Sequence, residues 1–105
     1  MSHLLDVLTP TKNQQARGFN GFIIFQSDYA CSSETILVIP CTAAAANMDL
    51  GKVTPKFDLI GIQALAIIPK IAGLAPRDFQ SIIIGTAMEI RNDLIAALDL
   101  LVTEF

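Results

Sequence analysis

Residues 91–105 read RNDLIAALDLLVTEF, and they decide the fold class. Leu94, Leu98, Leu101 and Phe105 recur at steps of four, three and four, with Ile95 and Val102 beside them, which predicts one apolar stripe at the helical period. Glu89, Asn92, Asp93, Ala96, Asp99 and Thr103 fall on the opposite face, so the helix is expected to lie on a surface. Thr86 with Glu89 three residues on has the spacing of a capping box, which starts the helical pattern near Gly85. At the far end, Asp99 and Glu104 stand near the negative pole of the helix dipole, at a cost of about 0.3–1 kcal/mol for each well-placed charge. In water such terminal charges are screened, so a solvated tip explains them as well as a presented one does.

Upstream of that helix the signals are those of strands. HLLDVL (3–8) is short and partly alternating, and KNQQARGFNG (12–21) reads as a polar, glycine-bearing loop. FIIFQSD (22–28) and TILVIP (35–40) are apolar runs rich in β-branched residues; Pro40 is expected to end the second, because it cannot donate to a ladder. Thr42 ahead of four alanines predicts one N-capped helical turn. PKFDLIGIQALAII (55–68) reads as two strands bent about Gly61, and Pro69 with Gly73 predicts an edge or bulge beyond it. Several strands followed by one terminal helix make an α+β domain: a small twisted antiparallel sheet or partly open barrel with a long C-terminal helix beside it. At 105 residues the whole chain, 1–105, is expected to be a single domain.

Composition narrows the function. Hydrophobic residues make up 52% and charged ones 16%, with a mean hydropathy of +0.54, so apolar surface is expected to be covered by a partner. A membrane span needs about 20 consecutive apolar residues. The oiliest stretch, 57–76, is cut by Asp58, Gln63, Pro69 and Lys70, so no membrane association is expected. The N-terminal residues lack the basic start and apolar core of a secretory signal, and the expected compartment is the cytoplasm. Cys31 and Cys41 stand ten apart with no CxxC and no neighbouring His, which reads as two reduced, packed thiols and not as a zinc site. A net charge of −3 with no Lys/Arg cluster disfavours direct nucleic-acid binding.

Catalytic constellations are sparse. His3 is the only histidine and stands near the N-terminus, so nucleophilic catalysis lacks a placed base. No phosphate-cradling glycine motif occurs. A ribonuclease needs one base, one acid and a cation, for which Asp28 or Glu34 with Arg17, Arg77 or Arg91 would be the raw material. The chain is expected to have no catalytic residue, metal or cofactor, and to be a binding protein and not an enzyme.

Taken in order, FIIFQSD, TILVIP, PKFDLIG, IAGLAP and IRNDLIAALDLLVTEF resemble the CcdB family of toxins from bacterial toxin–antitoxin systems, over about Leu4 to Phe105. The most specific pieces are Gln26-Ser27-Asp28, Val38-Ile39-Pro40 and Ala97-Leu98-Asp99-Leu100-Leu101. The resemblance implies a plasmid-maintenance type of protein: a non-enzymatic homodimer on a barrel shared with MazF-type ribonucleases. It inhibits topoisomerase action by binding the DNA gyrase A subunit through the helix tip, and a cognate CcdA-like antitoxin neutralises it. It further implies that Asp99, Val102, Thr103, Glu104 and Phe105, with Tyr29 and Ala30, take the gyrase-contacting positions. The chain departs from the family where Glu104 replaces the usual Gly and Thr103 the Trp of plasmid-borne members. Ile24 and Ile36 likewise stand where an Asp and an Arg are usual. The alternatives are an endoribonuclease toxin on the same barrel, or a repurposed dimer that binds only its antitoxin.

Overall fold

Strand-forming runs and turn residues set the elements of the computed structural model, which describes residues 4–25, 36–43, 51–75, 77 and 79–103. In chain order these are β1 (Asp6–Pro10), α1 (Lys12–Ala16), β2 (Gly21–Ile24), β3 (Ile36–Ala43), β4 (Lys56–Leu59), β5 (Ile62–Ala66), β6 (Ala72–Leu74), β7 (Phe79–Thr86) and α2 (Arg91–Thr103). Among the described residues the strands form one antiparallel sheet in the order β4-β5-β3-β2-β1-β7, with β6 also on β3. The chain is α+β: an antiparallel sheet that does not close, and one long C-terminal helix. Its two end strands nevertheless approach each other. A Cβ on Gly85 of β7 would stand 2.9 Å from the Leu59 side chain of β4, so glycine is what lets the edges come this near.

The β4–β5 hairpin is as expected, with a two-residue bend at Ile60 and Gly61, both left-handed (φ 51° and 79°). Pro69 also interrupts its run as expected. Between β5 and β6 a 3-10 turn over Ile68–Lys70 bulges out, and the chain then resumes pairing with β3 at Ala72.

Pro40 does not end its strand. It sits inside β3, opposite Phe22. Its carbonyl accepts the Ile67 N–H (2.8 Å), and a strand residue's N and C=O face the same edge; the missing N–H therefore points at the 3-10 bulge, where no ladder bond is forfeited. Because the strand runs on to Ala43, Thr42 is not an N-cap. Its hydroxyl is buried and donates to the Gly18 carbonyl at 2.7 Å. The rest of the predicted alanine turn lies outside the described residues.

The expected loop after β1 contains α1, five residues capped by Thr11, whose hydroxyl accepts the Gln14 N–H at 3.4 Å. None of its residues is buried, so it left no apolar period to read. The terminal helix starts later than the capping-box spacing implied. Thr86 still belongs to β7; Ala87 is the N-cap of a 3-10 turn (Met88–Ile90) from which α2 continues, and the Thr86 hydroxyl accepts the Met88 N–H at 3.2 Å.

Two apolar clusters lie on the two faces of the central strands. Under α2, Val7, Ile23, Ile39, Cys41 and Ala66 meet Ile90, Leu94 and Ala97. On the other face Leu8, Phe22, Ile24, Val38 and Phe79 form a second cluster, against which Phe19, Ile36 and Leu74 pack.

Candidate functional site

Burial orients α2: Leu94 and Ala97 are buried, and Leu98 and Leu101 are half-buried against the main cluster. Ile95 and Val102, grouped with the buried stripe on sequence grounds, are instead 40% and 68% exposed. Ala97 is the residue that the stripe missed: it is buried in the main cluster beside Leu94. Ile95, Asp99 and Val102, at steps of four and three, therefore make an outward stripe of two apolar residues around one carboxylate.

A groove of about 510 Å³ lies on another side of α2, lined by Lys52, Pro55, Asp93, Ala96, Ala97 and Leu100. Lys52 belongs to a 3-10 turn (Gly51–Val53) that packs against α2. The groove offers an apolar wall with one charge of each sign at its rim.

Of the residues expected to contact gyrase, Asp99 and Val102 are both outward on α2, and Thr103 is the helix's last residue. Tyr29, Ala30, Glu104 and Phe105 lie outside the described residues, as do His3, Asp28, Glu34 and Cys31. Arg91 is exposed, and the Glu89 carboxylate accepts the Asp58 backbone N–H at 3.0 Å.

The chemistry of the described residues is limited. No group of three His, Cys, Asp or Glu that could hold a metal gathers among them, and no described helix is long and apolar enough to cross a membrane. Cys41 is a free, buried thiol whose pKa burial pushes up to about 12. A thiol held neutral in this way is a packing residue and not a nucleophile. Arg17 and Arg77 are exposed.

Beyond α2, several large apolar side chains face outward: Ile60 and Ile62 on the hairpin, Ile82 and Ile83 on the end strand β7, and Met88 after it. Sequence reasoning inferred surplus apolar surface from composition but could not say which residues carry it. Compared with known families and with curated proteins, the chain matches no family model and no relative.

Proposed function

We propose that the chain is a CcdB-like toxin, a homodimeric, non-enzymatic protein that engages the DNA gyrase A subunit with the distal end of α2 and is neutralised by a cognate antitoxin. One observation carries this reading. The helix is anchored on the sheet through Ile90, Leu94 and Ala97, while Ile95, Asp99 and Val102 are left outward along its length. An anchored helix presents such a stripe without first having to order it, and preorganisation lowers the entropic cost of binding. Topology is compatible at the level of class: the α+β order of an antiparallel sheet followed by one long C-terminal helix is shared with the architecture that the resemblance implies, whereas the barrel is not closed here. The outward Ile60, Ile62, Ile82 and Ile83 supply apolar area for a dimer contact.

Binding of the full chain to purified gyrase A subunit tests the proposal. Wild type should bind, and Val102→Asp and Phe105→Ala should each weaken binding at least tenfold, a loss of about 1.4 kcal/mol. If wild type fails and Glu104→Gly binds, the tip has been disarmed and the chain is a repurposed dimer. If neither binds, the gyrase reading falls.

A further inference from the structure

On the sheet face opposite α2 a pocket of about 290 Å³ opens at the end of α1. Its floor is Phe22, Val38 and Pro40, all buried, with Ala72 and Leu74 beside them. The half-buried Phe19 ring stands at the rim, tilted 50° to Phe22 with centroids 5.7 Å apart. Gln14, Arg17 and Lys70 complete the lining, whose described residues include two cations and no carboxylate. In a chain of net charge −3 this is a local reversal of sign.

The rim is built by backbone bonds. The Gln14 carbonyl accepts the N–H groups of both Arg17 (3.1 Å) and Phe19 (3.2 Å), and Gly18, at φ 96°, turns the chain between them. On the far side the 3-10 turn holds Lys70, whose N–H donates to the Ile67 carbonyl at 3.0 Å. The Lys70 ammonium lies 5.8 Å from the Phe19 ring centroid.

The geometry points to a binding site for a small arylcarboxylate, its ring against Phe19 above the Phe22, Val38 and Pro40 floor and its carboxylate on the Arg17 and Lys70 head groups. Size selects a one-ring ligand, because the volume is at the lower end of the ~300–1,000 Å³ of ordinary ligand pockets. Charge selects an acid, and the arginine fork matches a carboxylate with two parallel hydrogen bonds. The site opens on the sheet face opposite α2, its Lys70 carried by the 3-10 turn that packs against that helix, and it does not depend on the gyrase reading.

Phenylacetate titrated into the isotope-labelled full chain, followed by amide NMR, tests the assignment. Saturable shifts at Gly18, Phe19, Lys70 and Ala72 are expected in the millimolar range normal for so small a ligand, with the amides of the outward α2 residues Ile95, Asp99 and Val102 unmoved. Phenylacetamide, which lacks the charge, and acetate, which lacks the ring, should each bind at least tenfold more weakly. Arg17→Gln and Lys70→Gln, both at exposed positions that leave the cores intact, should each weaken phenylacetate about two- to fivefold. No saturable shift in this pocket overturns the assignment, as does equal binding of acetate or inorganic phosphate, which would make it an unspecific anion patch.

Discussion

The backbone N–H of Asp58 ends on a side chain and not on a strand: the Glu89 carboxylate accepts it at 3.0 Å. Asp58 faces Gln63 in a hairpin whose closing pair is Leu59 and Ile62, so the Asp58 N–H points away from β5, along the open edge of the sheet. An open edge is a template for pairing with another chain, and here the turn leading into α2 covers part of it.

Removing that cover should be visible in two ways. Glu89→Ala is expected to destabilise by about 0.5–1.5 kcal/mol, the net value of one hydrogen bond, and Glu89→Gln, which keeps an acceptor, by less. Hydrogen exchange at the Asp58 amide should quicken in Glu89→Ala, and sedimentation should show more self-association. Unchanged exchange would mean that the carboxylate is not what protects the edge.

Ile60 is a second local conflict. A β-branched residue at φ 51° is strained, and here it is 69% exposed, with little packing to compensate. Ile60→Asn, the residue that such bends favour, should stabilise the protomer by about 1 kcal/mol in urea unfolding at concentrations where the chain is monomeric, while weakening the proposed dimer contact. Gly61→Ala should destabilise by at least about 1 kcal/mol, since φ 79° disfavours any Cβ even though space around it is open.

The sequence was legible wherever period and punctuation agreed. Leu94, Leu98 and Leu101 located the helix, and Gly61 located the hairpin bend. It misled where tertiary context overrode a local rule. Pro40 reads as a strand terminator because the bulge that absorbs its missing N–H is built from residues 67–71, far along the chain. Thr42 reads as a cap because its acceptor, the Gly18 carbonyl, comes from another element. On α2, Ile95 and Val102 were both assigned to the buried face and are exposed: a stripe drawn at the helical period does not show where the sheet stops covering it.

Ile24 and Ile36 change together in meaning once the second cluster is seen. Ile24 is fully buried in that cluster and Ile36 packs against it, on neighbouring strands whose register pairs Ile24 with Val38. The two are diagonal neighbours on one face, within reach of long side chains. Where the resembled family carries an Asp and an Arg, this chain has an apolar pair, an exchange that is often neutral or stabilising for a buried ion pair. Ile24→Asp alone should cost about 3–5 kcal/mol as an unpaired buried carboxylate. Adding Ile36→Arg should recover about 1–3 kcal/mol in a double-mutant cycle, and strict additivity would mean that the two positions do not meet.

Cys41 makes stability fall with alkali. Burial holds the folded thiol near pKa 12, against 9.0 for an ordinary one. Below pH 9 both states keep the proton and the group adds no pH dependence. Between the two values the unfolded chain loses a proton that the folded chain retains, so unfolding becomes more favourable as pH rises, with a limiting slope of about 1.4 kcal/mol per pH unit. In a Cys31→Ser background, urea unfolding should show this decline from pH 9 upward, and Cys41→Ala should flatten it apart from the contribution of other alkaline groups. At neutral pH a thiol reagent should label Cys41 only as the chain unfolds. Rapid labelling of the folded protein would contradict the burial on which the whole decline depends.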